Sequence, residues 1–276
     1  MSSSGPIALF DSGEGGLTVL SQLIQRMPGQ KFLYGADSCH FPYGEKSLDQ
    51  VKAWFLAFLD FFQEAGAQAV VIACNTATAA ALPEAQRRAR IPVIGVVGPA
   101  CERAARITEN GRVGVLSTEA THRSGLYPAR LHEIRRELFV LSKPCPILVV
   151  MAENGQIDGI NVEDAVRACV EPVLDTGVDT VILGCTHFPH MRTVFNRAVG
   201  DRAFIVDPGE QIADRLAAEL PGSPLGSYGT VEAWTTGRVD RFIDVARKLC
   251  PSIPINAHAL TWQHQRLEPA LDSAGR

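Results

Sequence analysis

The sequence has little of several features that mark specialised protein classes. Aromatic residues make up only 7% of the chain, and 26 Lys and Arg against 30 Asp and Glu give a net charge of −4. A nucleic-acid partner is not expected, because phosphate binding requires a basic surface. No apolar run approaches the roughly 18 residues of a membrane span, and MSSSGPIALF lacks the basic start and apolar core of a signal peptide. These absences predict a cytoplasmic protein without membrane association.

Cysteine is present, but not at the spacing of a disulfide framework. An odd number of scattered cysteines favours reduced thiols. No CxxC pair or HxxxH cluster indicates structural zinc, so no metal site is predicted. Any cysteine chemistry should therefore be thiol chemistry. The seven cysteines are Cys39, Cys74, Cys101, Cys145, Cys169, Cys185 and Cys250.

Short apolar runs alternate with helical patterns along the whole chain. The runs are continuous rather than alternating, which indicates strands that are buried on both faces of mainly parallel sheets. The fold class is therefore α/β. The predicted strands cover 7–10, 31–36, 69–74, 92–97, 112–117, 146–151, 180–185 and 203–207. The predicted helices cover 46–65, 76–89, 99–109, 121–137, 161–176 and 209–219.

The chain repeats one pattern in two halves. IALF leads into DSGEGG and RVGVL leads into STEATHRSG, and each half later ends an apolar run on a cysteine. This pattern predicts two pseudo-symmetric α/β domains, residues 1–98 plus 212–276 and residues 99–211. Ligands bind at the carboxyl ends of parallel strands, so the active site is expected in the cleft between the two domains.

Cys74 and Cys185 are the strongest functional lead. They end the apolar runs AVVIAC and TVILGC, and hydrogen-bonding residues follow each of them. A thiol at a strand-to-helix turn lies near a helix N-terminus, which favours thiolate and predicts a lowered pKa. Simple packing is the alternative for any cysteine, and it is our interpretation of the other five. Two opposed thiols favour a two-base racemase, in which one removes a proton from a carbon and the other returns a proton from the opposite face.

Four polar residues that follow apolar runs each have two interpretations. They can donate hydrogen bonds to a substrate carboxylate, or they can cap the helices that they begin. The residues with this ambiguity are Ser12, Asn75, Thr76 and Thr186. His187 is either a proton-transfer group or a surface histidine.

Asp11 lies in DSGEGG, which resembles a phosphate-binding loop. The stretch lacks the GK[ST] ending, and Asp11 and Glu14 would repel phosphate. An ammonium group or a proton-transfer partner suits Asp11 better, with an N-cap as the alternative.

Two further candidates lie elsewhere in the chain. Glu153 follows the predicted strand PILVVM. Tyr43-Gly44 lie in a turn that either contacts ligand or only reverses the chain.

Together these residues resemble the glutamate racemases of the aspartate/glutamate racemase superfamily. FDSGEGGLTVL, PYGEKS, ACNTATAAAL, PVIGVVGPA, GVLSTEATHRSGLY and VILGCTHFP occur in the order of that family. The resemblance implies interconversion of L- and D-glutamate without pyridoxal phosphate, metal or nucleotide. It also implies a bacterial cytoplasmic homodimer that supplies D-glutamate for peptidoglycan synthesis.

The resemblance extends to individual residues. Cys74 matches the acid/base that faces the α-proton of D-glutamate, and Cys185 matches the one that faces that of L-glutamate. Asp11 and His187 match residues that assist proton transfer, and Glu153 matches a carboxylate that supports His187. The matched substrate-binding residues are Asp11, Ser12, Tyr43, Gly44, Asn75, Thr76, Thr121, Thr186 and His187, with Thr118 in the same turn as Thr121.

Two alternatives remain open from the sequence. An aspartate racemase shares the two-thiol logic, although GCTH resembles the glutamate enzymes. A catalytically silent amino-acid-binding sensor on the same fold would bind its ligand without exchanging the α-proton.

Overall fold

A computed structural model describes residues 5–219, 229–249 and 254–270 of the chain. Its strands are β1 (Ile7–Asp11), β2 (Phe32–Ala36), β3 (Ala69–Ile72), β4 (Val93–Gly95), β5 (Arg112–Ser117), β6 (Phe139–Pro144), β7 (Thr180–Gly184), β8 (Phe204–Val206), β9 (Val231–Thr235), β10 (Ile255–Gln263) and β11 (Arg266–Pro269). Its α-helices are α1 (Leu17–Arg26), α2 (Leu48–Glu64), α3 (Asn75–Arg88), α4 (Val97–Ile107), α5 (Glu119–Ser124), α6 (Leu126–Ile134), α7 (Pro146–Glu153), α8 (Ile160–Leu174), α9 (Arg192–Val199), α10 (Pro208–Glu219) and α11 (Val239–Leu249).

The strands form two sheets. Seven strands form the first sheet in the order β11-β10-β9-β2-β1-β3-β4, and four form the second in the order β6-β5-β7-β8. Among the described strands, every pairing is parallel except that of β10 with β11. Residues after 230 return to the first sheet, where β9 pairs with β2. This mixed, mainly parallel architecture confirms the α/β prediction.

The two sheets share one connection pattern. The order β2-β1-β3-β4 in the first corresponds strand for strand to β6-β5-β7-β8 in the second. β3 and β7, which precede the two cysteine turns, therefore occupy equivalent positions. The domain boundaries drawn from the sequence, 1–98 plus 212–276 and 99–211, stay a prediction.

Helices cover both faces of each sheet, which explains the uninterrupted apolar strands. On the first sheet, α1, α10 and α11 pack against one face and α2 and α3 against the other. On the second sheet, α7, α8 and α9 cover one face and α4 and α6 the other. No described helix is long and apolar enough to span a membrane.

The strand predicted at 146–151 is wrong, because PILVVM forms helix α7. Pro146 begins this helix, where its missing N–H costs nothing. The partner of β5 is instead β6, a less apolar edge strand that is mostly half-exposed. A short apolar run does not distinguish a strand from a buried helix turn. Glu153 therefore stands at the end of a helix rather than of a strand.

The helix predicted at 121–137 is two helices, α5 and α6. They meet at Gly125, whose φ of 66° is left-handed and ends the first helix. The sequence left the C-terminal segment 258–276 open between an ordered helix and a loose tail; its described residues instead form most of β10 and all of β11. Cys250 lies outside the described residues.

Candidate active site

Three strand ends open onto one cavity of about 70 Å³. Ser12 follows β1, Cys74 follows β3 and Cys185 follows β7, and all three line this cavity. At about 10–15 Å³ for each water, the space holds roughly five to seven waters, which suits a small amino acid better than a nucleotide. The other predicted residues in its lining are Tyr43, Gly44, Asn75, Thr76, Thr186 and His187, together with Thr118.

Cys74 is the N-cap residue of α3. Its Sγ accepts a 3.4 Å hydrogen bond from the backbone N–H of Ala77 and lies 3.9 Å from Oγ of Ser12. Burial, and then the charge of Asp11, raise the pKa of the Cys74 thiol to about 12, and the Ala77 N–H only partly opposes them. The expected lowering of this pKa by the helix N-terminus is therefore wrong, and Cys74 is a neutral thiol at pH 7.

Cys185 has a different environment from Cys74. A short 3₁₀ helix (Phe188–Met191) follows it instead of an α-helix, and its Sγ lies 3.6 Å from Nδ1 of His187. Nε2 of His187 lies 2.5 Å from Oε1 of Glu153. The three side chains form a thiol–imidazole–carboxylate chain that leads from the cavity to the end of α7.

His187 carries a positive charge in this chain. Burial opposes that charge, but the hydrogen bonds to Cys185 and Glu153 outweigh burial and raise the pKa of His187 well above its usual 6.5. Burial likewise opposes the charge of Glu153, yet the bond to His187 lowers the pKa of its carboxyl. Arg241 adds a 3.2 Å ion pair with Glu153. The site therefore favours an imidazolium beside Cys185.

Asp11 is fully buried behind the cavity. Its Oδ2 accepts hydrogen bonds from the backbone N–H groups of Gly16 at 3.0 Å and Gly13 at 3.3 Å, and Oδ1 accepts from Oγ1 of Thr186 at 3.3 Å. Burial raises the pKa of Asp11 to about 6, against the lowering effect of His187. Asp11 thus contacts one cavity residue directly and influences His187 and Cys74 through its charge.

Hydroxyl groups join the two halves of the site. Oγ1 of Thr76, at the start of α3, lies 3.0 Å from Oγ1 of Thr118 and 3.0 Å from Oγ1 of Thr121. Thr118 is the N-cap of α5 and donates to Thr121 at 2.9 Å. Thr76 and Thr118 line the cavity, whereas Thr121 lies one hydrogen bond behind them.

Three predicted residues do not line the cavity. Asp11, Glu153 and Thr121 each lie behind it, in hydrogen-bond contact with Thr186, His187 and Thr118 respectively. The structure brings all the remaining predicted residues to the cavity wall.

Sequence reasoning missed residues that hold the predicted ones in place. The hydroxyl of Tyr127 donates a 2.6 Å hydrogen bond to Oδ1 of Asn75, and that of Tyr43 donates one to Oδ2 of Asp37, also at 2.6 Å. Tyr127 follows the STEATHRS turn, and no local sequence pattern indicates its role. Asp37 directly follows β2, so its position just beyond a predicted strand was a usable signal.

The apolar cavity wall was also missed. Pro146, Val149 and Val150 of α7 line the cavity together with the polar residues. Their stretch PILVVM was interpreted as a buried strand, and that interpretation gave them no place near the site.

Sequence comparisons connect this chain to racemases. A profile of the Asp/Glu/Hydantoin racemase family matches residues 14–216. The glutamate racemase of Symbiobacterium thermophilum is 43% identical over 266 residues, covering 94% of this chain and 96% of that one. The glutamate racemase of Desulforudis audaxviator is 36% identical over 253 residues, covering 88% and 92%.

Structural comparisons give the same family. Glutamate racemase isoform RacE1 from Bacillus anthracis has a TM-score of 0.89 and 31% identity, covering 96% of this chain and 99% of that one. The Francisella tularensis glutamate racemase in complex with D-glutamate has a TM-score of 0.85 and 26% identity, covering 95% and 98%. An aspartate racemase homologue from Pyrococcus horikoshii shares only the fold, with a TM-score of 0.56, 19% identity, and coverage of 78% and 99%. The profile match and the sequence identity of its relatives together show that this chain belongs to the Asp/Glu/Hydantoin racemase family.

Proposed function

We propose that this protein is a glutamate racemase, which interconverts L- and D-glutamate without a cofactor, with Cys74 and Cys185 as its two acid/base groups. One observation carries the proposal. The two thiols follow the equivalent strands β3 and β7 and line the same cavity. A two-base racemase requires proton-transfer groups on opposite faces of one carbon, and two similar halves that meet at a cavity provide that arrangement.

The unequal environments of the thiols support a direct reaction sequence. The charged imidazole of His187 lies beside Cys185, with its Nδ1 3.6 Å from Sγ, while Cys74 keeps its proton at neutral pH because burial raises its pKa to about 12. Cys185 thiolate removes the α-proton of L-glutamate, and the electron pair stays on the substrate. Cys74 then delivers its S–H proton from the other face. D-glutamate leaves, with Cys185 protonated and Cys74 as thiolate, and proton exchange with solvent resets the pair.

The carbanion requires stabilisation, because an amino-acid α-proton is very weakly acidic. Oδ1 of Asn75 accepts from Tyr127, so the amide NH₂ of Asn75 is the donor that is left for the substrate. The hydroxyls of Thr76 and Thr118 line the same wall. We propose that these groups bind the substrate carboxylates. We also propose that the negative charge of Asp11 keeps the substrate ammonium group protonated.

Glutamate is the preferred substrate in this proposal. The relatives that match most of the chain bear the name glutamate racemase, whereas the aspartate racemase homologue shares only the fold. The Francisella tularensis enzyme was crystallised with D-glutamate, and the Escherichia coli enzyme, 29% identical, with L-glutamate and an activator.

Exchange of the α-proton in D₂O tests the proposal. The protein is incubated with L-glutamate or L-aspartate, and the α-proton NMR signal and the optical rotation are followed. With glutamate, we expect both the α-proton signal and the optical rotation to disappear. If neither acid exchanges its α-proton, the protein is not a racemase of these acids. If only aspartate is turned over, glutamate is not the substrate.

Single-cysteine variants test the two roles. Cys74→Ala and Cys185→Ala should each abolish racemisation, with Cys101→Ala as a buried control outside the cavity. Near-wild-type turnover in either active-site variant would remove that cysteine from the mechanism. A silent sensor gives a different result: glutamate binding that survives replacement of both cysteines by Ser, with no exchange in any version.

The biological setting belongs to the same proposal. D-glutamate made by this activity would supply peptidoglycan synthesis. Six free cysteines among the described residues suit a reducing compartment, in support of the cytoplasm. The homodimer and the domain boundaries stay predictions, and sedimentation of the purified chain tests the first of them.

A further inference from the structure

A second group of reactive side chains lies outside the proposed active site. Asp37 directly follows the first-sheet strand β2, and Cys39 and His40 come after it in a short 3₁₀ turn. Within the described residues, this is the group of His, Cys, Asp and Glu whose possible ligand atoms all lie within 4.8 Å of one another. None of the three lines the substrate cavity. We propose that Asp37, Cys39 and His40 form a binding site for a thiophilic divalent cation, with Zn²⁺ as the representative ion.

The distances between the three side chains are close to those around tetrahedral zinc. With Zn–S near 2.3 Å and Zn–N and Zn–O near 2.0 Å, sulfur should lie about 3.5 Å from each of the other ligands, which should lie about 3.3 Å apart. Sγ of Cys39 lies 3.5 Å from Nδ1 of His40 and 3.5 Å from Oδ1 of Asp37. Nδ1 of His40 lies 2.9 Å from Oδ2 of Asp37. These contacts use both oxygens of Asp37, whereas a tetrahedral ion with one bond to each residue would take one oxygen. With one ligand atom from each residue, all three atoms lie within 4.8 Å of one another, so small side-chain rotations bring them to the zinc distances.

The surroundings hold the ligands in these positions. The ring of His40 stacks on Trp54 at 4.0 Å between centroids, and it makes an edge-to-face contact with Trp262 at 5.3 Å. Both contacts fix the direction of Nδ1. The carboxylate of Asp37 has no exposed side-chain surface, and it accepts hydrogen bonds from Trp262 and from Tyr43. Bonds of this kind to a ligating carboxylate orient it and preserve its charge.

The chemistry and accessibility of the set favour zinc over magnesium or calcium. A thiolate, an imidazole and a carboxylate are the ligands that Zn²⁺ takes, whereas magnesium and calcium prefer oxygen alone. Cys39 is exposed, so an ion reaches the cluster from solvent. Three protein ligands leave a fourth tetrahedral position for water. The Asp-x-Cys-His spacing matches no common zinc motif, which explains why the sequence alone indicated no metal.

Cobalt absorption tests this site, because Co²⁺ replaces Zn²⁺ and shows a thiolate-to-cobalt charge-transfer band in the near ultraviolet. The full-length reduced protein is titrated with Co²⁺ and then with Zn²⁺. We expect about one equivalent of Co²⁺ to produce the band and Zn²⁺ to remove it. Cys39→Ser should abolish the band, His40→Gln should weaken Co²⁺ binding at least tenfold, and Cys185→Ser should keep the band.

Thermal unfolding supplies an independent measurement. A ligand that binds only the folded state raises Tm, and at a hundredfold excess over its Kd a rise of about 5 °C is expected for the wild type. The same Zn²⁺ should leave the Tm of Cys39→Ser unchanged. Without metal, that variant should unfold within about 1–2 °C of the wild type, because the position is exposed. A band that persists in Cys39→Ser with wild-type affinity, or the absence of any band in the wild type, would overturn the proposal.

Discussion

The hydroxyl of Tyr127 donates a 2.6 Å hydrogen bond to Oδ1 of Asn75, across the junction between the halves of the molecule that carry the two sheets. Tyr127 packs in the core of the second sheet, and Asn75 begins α3 beside the first. The bond uses the carbonyl oxygen of the amide, so it directs the NH₂ group to the cavity. A donor in that position can hold a carboxylate of the substrate.

Tyr127→Phe is therefore expected to weaken substrate binding more than catalysis. The variant leaves Oδ1 of buried Asn75 without its partner, which costs about 1–3 kcal/mol. We expect KM for glutamate to rise roughly 5- to 10-fold, with a smaller change in kcat and a Tm lower by a few degrees. Steady-state kinetics in both directions and a thermal melt measure these effects. Phe55→Leu, a core change on α2 away from the cavity, controls for lost stability, and an equal rise of KM there would contradict the positioning role.

Glu153→Gln should weaken the charge on His187. The hydrogen bond between them joins charged groups, so we expect kcat to fall about tenfold or more, and the limb of the pH–rate profile that reports His187 to move to lower pH. Arg241→Ala removes a cation that lies 3.2 Å from Glu153, so it should move the same limb slightly to higher pH. An unshifted limb would show that Glu153 does not support the imidazolium.

The same pair predicts a pH dependence of stability. A raised histidine pKa contributes stability that is fully present below the unfolded value near 6.5 and is lost as pH rises through the folded value. On the acid side, the stabilisation from Glu153 is lost as pH falls through the lowered pKa of its carboxyl in the folded protein. The difference in Tm between the wild type and Glu153→Gln should therefore be largest near pH 6 and shrink at alkaline pH. Melts at half-unit pH steps measure it, and a difference that grows with pH would contradict the sign.

Asp11 predicts the acid limb of activity. Its pKa is about 6 in the folded protein because of burial, so its carboxylate is lost as pH falls below that value. We expect kcat/KM for glutamate to decline below about pH 6. Asp11→Asn should be much slower and should lack this limb, because Asn does not titrate. A limb of unchanged position in that variant would assign it to another group.

Gly15 is predicted to tolerate no side chain. A Cβ there would lie 2.7 Å from Oγ1 of Thr186, 2.8 Å from Cε1 and 2.9 Å from Nδ1 of His187. His187 cannot move aside, because Glu153 holds its other nitrogen. Gly15→Ala should reduce kcat at least 100-fold. Gly13→Ala is the matched control, since its Cβ meets nothing closer than 3.4 Å, at Phe41. Equal activity of the two variants would show that His187 does not need its observed position.

Much of this protein follows from local sequence. Continuous apolar runs indicate β3 and β7, because strands that are buried on both faces of a parallel sheet carry such runs. Cys74 and Cys185 are visible as the residues at which those runs end. The resemblance to racemases rests on the same short motifs. These features are local, and a single strand or turn is enough to reveal them.

Tertiary structure decided what local pattern could not. PILVVM is apolar enough for a strand, but residues 139–144 form the strand that pairs with β5. Pro146–Glu153 is instead a helix, and this helix places Glu153 in contact with His187. The pKa of Cys74 rises because Asp11 and burial outweigh the helix N-terminus, and the burial of a residue depends on the whole fold. Tyr127 reaches Asn75 from 52 residues away. The sequence by itself determined which residues have the chemistry, and only the packing of the two sheets determined their neighbours and therefore their charge.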